Sequence, residues 1–128
     1  MKLMPLEMQV VSLELAKQMK DLWFEQNSYF SWVCKKGRPF RDEKDEYYLL
    51  ESSRTYNFKK EGNCWSAYTV AELGTMLPVY CSCTKETSGN IWQCSYHISD
   101  EDSHFITENM EADARAKMLI YLKKEGLI

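Results

Sequence analysis

Apolar residues recur along this chain with two periods, and each period predicts a kind of element. Leu15, Ala16, Met19, Leu22 and Trp23 fall on one narrow stripe at 3.6 residues per turn, which predicts an amphipathic helix. Ser12 is its N-cap, Glu14 sits in the positively polarised first turn, and Asn27 can end it in a left-handed conformation. In "YFSWVC" (29–34) the period changes to two, with Phe30, Trp32 and Cys34 alternating against Tyr29, Ser31 and Val33, as in a strand. "YYLLE" (47–51) and "TYNF" (55–58) read as further short strands. "TVAELGTMLP" (69–78) returns to helical spacing. Thr69 and Glu72 form a capping box, Val70, Leu73 and Leu77 make the stripe, and Pro78 stops it. Gly74 inside this helix costs about 1 kcal/mol relative to alanine, so it predicts a close approach or an early end.

The next segment, 79–98, reads as a hairpin with Gly89-Asn90 suited to a type II′ turn. A last helix is capped by Asn109, carries Glu111 and Asp113 in its first turn and Lys123 and Lys124 in its last, and stops at Gly126. With Gly126 at C′, Leu127 should meet Leu122. Inside this helix Met118-Leu119-Ile120-Tyr121-Leu122 is apolar without a break. Ala112, Ala116, Leu119 and Leu122 make one face, and Met110, Ala114, Met118 and Tyr121 a second, so the apolar arc spans roughly 240°. One sheet covers about half of such an arc. The expectation is that Leu119 centres the face on the sheet, and that Met118 and Tyr121 rest on Leu15, Met19 and Trp23. The alternative is a homo-oligomer formed through Met118 and Tyr121. Ile120 lies beside the polar pole of Asp113, Lys117 and Lys124 and is expected to be the exposed member.

These elements define a fold class. They predict one α+β domain over residues 1–128, with an antiparallel sheet of about four or five short strands and three helices. The first and last helices pack together on one face of that sheet. At 128 residues the chain is long enough for one real core.

Composition narrows the partners. A net charge of −3 and a pI of about 5.4 argue against a broad nucleic-acid binder. No apolar run approaches a membrane span, and Pro5 and Glu7 interrupt the amino-terminal "MKLMPLEMQVV" before it could serve as a signal peptide. A cytoplasmic setting follows, in which the five cysteines stay reduced.

Candidate chemistry is sparse. "CSC" (81–83) invites a zinc reading, but structural zinc sites pair their cysteines at C-x₂₋₄-C. Strand alternation puts Cys81, Cys83 and Cys94 on one hairpin face with Trp92, Tyr96 and Ile98, where free thiols behave as small hydrophobes. Neither a metal nor a cofactor is expected. His97 falls on the opposite face from those cysteines, and His104 follows the acidic "SDED" run, so no Cys–His pair forms. G-x-S-x-G, H-E-x-x-H, P-loop and G-x-G-x-x-G motifs are missing, and the expectation is a protein that is not an enzyme. The candidate binding residues are Lys35, Lys36, Arg38, Phe40 and Arg41, joined by Lys44, which could contact phosphates or an acidic partner. Asp42, Glu43, Asp45 and Glu46 nearly cancel their charge.

Three blocks, "VVSLELAKQMKDLW" (10–23), "YTVAELGTMLP" (68–78) and "NMEADARAKMLIYL" (109–122), resemble a family of small proteins carried by bacterial genomes, prophages and phages. Its recurring motifs are SLELAK, FTVAELGxMLP and EADARAKMLIYL. The chain departs from that pattern at Trp23, where similar proteins tend to carry a smaller residue. The resemblance implies a shared fold and a phage or mobile-element origin, and it carries over no functional residue. Together with the missing catalytic motifs, it points to an accessory protein that binds a host or phage protein. The alternative is a small-ligand or nucleotide-binding protein whose aromatics line a pocket.

Overall fold

Two antiparallel three-stranded sheets, instead of one larger sheet, carry the six strands of the described residues. The computed structural model describes residues 5–86, 89–97 and 103–128. In chain order they form α1 (Leu6–Gln9), α2 (Leu13–Asp21), β1 (Phe30–Lys35), β2 (Glu46–Glu51), α3 (Tyr56–Lys60), β3 (Cys64–Ser66), α4 (Val70–Met76), β4 (Cys81–Lys85), β5 (Trp92–His97), β6 (Ser103–Glu108) and α5 (Glu111–Lys124). The sheet orders are β2-β1-β3 and β4-β5-β6.

In the first sheet Trp32 pairs with Leu49 on one side and Trp65 on the other, so strand alternation puts all three on one face. Helix α2 packs there, and the Trp32 indole N–H donates to the Val11 carbonyl at 2.8 Å. The opposite face, through Val33, Tyr48 and Cys64, meets α3, with Tyr48 edge-on to Phe58 at 6.0 Å. In the second sheet Cys83, Cys94 and Ile106 are direct neighbours across the strands, and their face packs on α5. Its other face presents Ser82, Ser95 and the exposed Phe105.

Helix α5 lies between these layers, which explains its unbroken apolar run. Met118 and Leu122 are buried with Cys94 and Tyr96 of the second sheet. Leu119 and Ile120 are buried with Leu15, Met19, Phe24, Tyr68 and Leu73 from α2, α4 and the segments beside them. The first and last long helices do pack together, but not on one face of a shared sheet: α2 packs on the first sheet and α5 on the second. Their contact runs through Ile120 and through Leu119, expected to centre the sheet face, whereas Met118 turns to the sheet. Ile120, expected at the surface, is only 6% exposed. Of the polar pole that suggested otherwise, Lys117 and Lys124 are exposed, but the half-buried Asp113 accepts a 2.8 Å hydrogen bond from the backbone N–H of Ser12 at the start of α2. Met118 is spent inside this chain and offers no surface to a second copy. Tyr121 is half-buried and stacks on His104 with ring centroids 3.6 Å apart.

Other differences are local. "TYNF" is not a strand: residues 56–58 begin the short helix α3. Aromatics two apart fit either reading over so few residues. Six residues separate β4 from β5, because the ladder ends at the Lys85–Trp92 pair, so Gly89-Asn90 is not a two-residue turn. The even spacing still keeps Cys81, Cys83 and Cys94 on one face, as predicted. Residues 87–88 and Ile98 lie outside the described residues. Met110, not Asn109, occupies the N-cap position of α5.

The capping box of Thr69 and Glu72 forms as predicted. The end of α5 also follows expectation: Leu127 N–H bonds to the Leu122 carbonyl at 2.8 Å and Gly126, at φ +71°, to Lys123 at 3.2 Å, the two bonds of a Schellman ending. Gly74 marks a close approach, since a Cβ there would stand 2.9 Å from the Arg115 guanidinium of α5.

Candidate functional site

The end of α2 shapes one side of a surface cleft. Trp23 N–H bonds to the Lys20 carbonyl and Phe24 N–H to that of Met19, both at 3.1 Å, which is again the Schellman pattern. The left-handed position this ending requires is taken by Trp23, at φ +69°, and not by Asn27. A left-handed L-residue other than Gly costs roughly 1–2 kcal/mol. That conformation removes Trp23 from the helix stripe and leaves its side chain 88% exposed, while Phe24 enters the core in its place.

The chain from Trp23 onward is pinned at two points. Gln26 accepts from the Ser66 backbone N–H at 2.8 Å, tying the segment to β3. Glu72 accepts from the Tyr29 N–H at 3.1 Å with one oxygen while the other serves its capping box. Between this segment, α4 and the end of α5 lies a cleft of about 640 Å³. Phe24, Tyr68, Met76 and Leu119 form its apolar walls, and Trp23 stands at it. Glu25, Glu72 and Lys123 supply charge of both signs. Lys123 lies over the Phe24 ring, its Nζ 5.4 Å from the centroid.

Tyr68 is the other unusual residue here. Its hydroxyl is buried with no hydrogen-bond partner among the described residues. Burial pushes the phenol up to about 12, and the nearby Glu72 and Glu25 carboxylates push the same way. The Ser66 side chain acts in the opposite direction without reaching hydrogen-bond geometry. In the unfolded chain the phenol releases its proton near pH 10. The folded state therefore binds more protons between pH 10 and about 12, and stability falls as pH rises through that window. Tyr68→Phe is expected to flatten the decline by up to about 1.4 kcal/mol per pH unit, read from urea melts between pH 9 and 11.5. Equal slopes for the two proteins would show that Tyr68 is not the group responsible.

The sequence pattern places Trp23 on the α2 stripe and gives Tyr68 no part in a site, although each carries a signal of its position here. Trp23 directly follows the last turn of α2, where a helix ending needs a left-handed residue, and it is the place where the family resemblance breaks. Tyr68 immediately precedes the Thr69 N-cap, and Leu73 follows four residues after that cap. Those are the two positions of a hydrophobic staple, and both residues lie in the same core cluster.

The residues predicted as a binding site sit elsewhere, in and after the end of β1. Lys36 pairs with Asp45 at 3.3 Å and Arg38 with Glu43 at 3.2 Å. The Gly37 amide and the Lys36 ammonium hold the Asp45 carboxyl below its usual range. Phe40 is 79% exposed, Arg41 lies over its ring at 5.7 Å, and Lys35 extends from the end of β1. Two of the five cations named for this loop are thus neutralised locally, and the hollow there is lined by Lys35, Lys36, Arg38 and Lys44 but not by Phe40 or Arg41.

Cys83 and Cys94 face each other across β4 and β5. Cys94 is pushed well up, first by its hydrogen bond with Cys83 and then by burial, which makes it a poor nucleophile at neutral pH. His97 lies on the opposite face and bonds to Ser103 at 3.0 Å. Among the described residues no three of His, Cys, Asp and Glu gather as a metal site requires.

Compared with family models, with curated proteins and with solved structures, the chain matches none. Among the described residues no helix is long and apolar enough to cross a membrane.

Proposed function

We propose that this chain is a non-enzymatic binding protein that seats a projecting part of a partner protein in the Trp23 cleft. The observation that carries this reading is Trp23 itself, an indole held in a strained backbone conformation and left almost wholly in solvent. An exposed tryptophan beside a cleft of mixed apolar and charged lining is the type of residue that dominates binding energy at protein interfaces. The resemblance to phage- and prophage-borne proteins supports a mobile-element accessory role, with a host or phage protein as the partner. Five free thiols, three of them buried, fit work in the cytoplasm.

Trp23→Gly separates function from folding. Glycine adopts φ +69° without strain, and an 88% exposed side chain contributes little packing, so stability should hold within about 1 kcal/mol or rise. A partner identified by capture from host lysate should bind the variant at least about tenfold more weakly, the effect of losing a hot-spot tryptophan. Unchanged affinity would remove the reading.

A second reading, a small-ligand pocket, draws on the unpartnered Tyr68 hydroxyl beneath aromatic walls. Two carboxylates in the cleft disfavour a nucleotide's phosphates there. Native mass spectrometry of the purified protein would reveal a retained small molecule.

A further inference from the structure

We infer that the group this cleft receives is the guanidinium of an arginine side chain, stacked on Trp23, paired with Glu25, and displacing Lys123 from the face of Phe24. The inference rests on the reading of the cleft as a binding site and names what enters it.

Charge is the first argument. Glu25 and Glu72 line the cleft, but their oxygens are not equally free. Glu72 already accepts from Thr69 twice and from Tyr29, so its capacity is used in holding the fold. Glu25 is exposed and, among the described residues, accepts a single bond, from the Asn27 amide at 3.1 Å. It is the carboxylate available to a newcomer. A guanidinium satisfies a carboxylate with two parallel N–H donors, which an ammonium cannot do.

The aromatic wall is the second. Lys123 forms no ion pair among the described residues and places its ammonium over Phe24, so the chain's own cation already marks the wall as a place where positive charge is favourable. Trp23 has no ring or cation partner among the described residues, so its face is open, and indole is the best of the aromatic rings for a cation. Trp23 and Glu25 are two residues apart on a segment anchored through Gln26, so the stacking surface and the carboxylate are presented together. Arginine also stacks its flat group on aromatic faces, and its alkyl stem suits apolar walls such as Met76 and Leu119. Lys123 would then be in competition with the ligand, not a helper.

The test uses two small probes, N-acetyl-arginine methylamide and its neutral isostere N-acetyl-citrulline methylamide, titrated against the full chain. Binding is followed by the Trp23 indole N–H resonance, assigned by its loss in Trp23→Gly. The arginine probe should shift that resonance and bind about five-fold or more tightly than citrulline. Glu25→Gln should weaken the arginine probe by about two- to five-fold, the worth of an exposed ion pair, and leave citrulline unaffected. Lys123→Ala should tighten it by a similar factor of about two to five. Equal binding of the two probes, or a weaker arginine complex in Lys123→Ala, overturns the inference. Should Trp23→Gly lose the partner while both probes bind alike, the cleft remains an interface and only the guanidinium assignment fails. Should the probes discriminate while Trp23→Gly keeps its partner, the arginine site stands and the protein-binding reading falls.

Discussion

Met118→Lys should destabilise the protein by several kcal/mol, and Ile120→Lys by clearly more than the usual surface range of about 0.5 kcal/mol, because both positions lie in apolar clusters on opposite sides of α5. Met118 is fully buried against Cys94 and Tyr96 of the second sheet, and Ile120 is 6% exposed among Leu15, Met19 and Leu73. Met118 has no exposed surface, so an ammonium there must be neutralised or leave the core. Ile120 also lines a cleft with Glu14, Glu108 and Asp113, and an ammonium there reaches those carboxylates only by giving up its packing on the α2 side. On a wheel in which Asp113 marks solvent, Ile120 would belong to the surface, and its change to lysine would fall within about 0.5 kcal/mol. Denaturant melts of the two variants decide between these pictures. A Met118→Lys chain that remains a stable monomer would mean that the second sheet does not cover α5. A stable Ile120→Lys would mean the same of α2.

Leu119→Ala is expected to cost roughly 2–5 kcal/mol, the range for removing a fully buried leucine that leaves a cavity. Leu119 has no exposed surface and touches the floor of the Trp23 cleft as well as the core between α2 and α4. The expected loss is therefore double: lower stability in urea melts, and weaker partner binding through a deepened cleft. A cost below about 1 kcal/mol would show that the residues around it collapse freely, which a packed core does not allow.

How far the sequence reveals this molecule depends on whether a feature is local. The three longer helices are legible because their stripes and ends are written within a few residues, as with Thr69 and Glu72 or Gly126 and Leu127. The face shared by Cys81, Cys83 and Cys94 is legible too, since alternation survives any even loop. Two sheets where one was expected is a matter of strand pairing at a distance, and nothing in "YFSWVC" says whether its neighbour is residues 64–66 or 81–85. The surroundings of Ile120 were hidden for a related reason: Asp113 looks like a solvent residue until its partner, 101 positions earlier, is known. The basic loop drew attention by composition, but its acids sit in the same loop and quench two of its cations. The cleft was missed because it is assembled from three separate segments, and its most telling member, Trp23, fits a helical stripe in sequence while leaving the helix in space.

The position of α5 in both apolar clusters has a consequence for how the chain is made. Synthesis delivers the second sheet and the apolar surface of α2 and α4 first, and each emerges with the side that meets α5 still uncovered, since that helix comes last in the element order. Neither half can complete its core early and wait for the other. The bond from Ser12 to Asp113 closes only after a hundred intervening residues have left the ribosome. Long-range closure of this kind slows folding and prolongs the exposure of sticky strands. A nascent chain paused before residue 111 is therefore a substrate for chaperones and proteases, and its release into the folded state is a single late event.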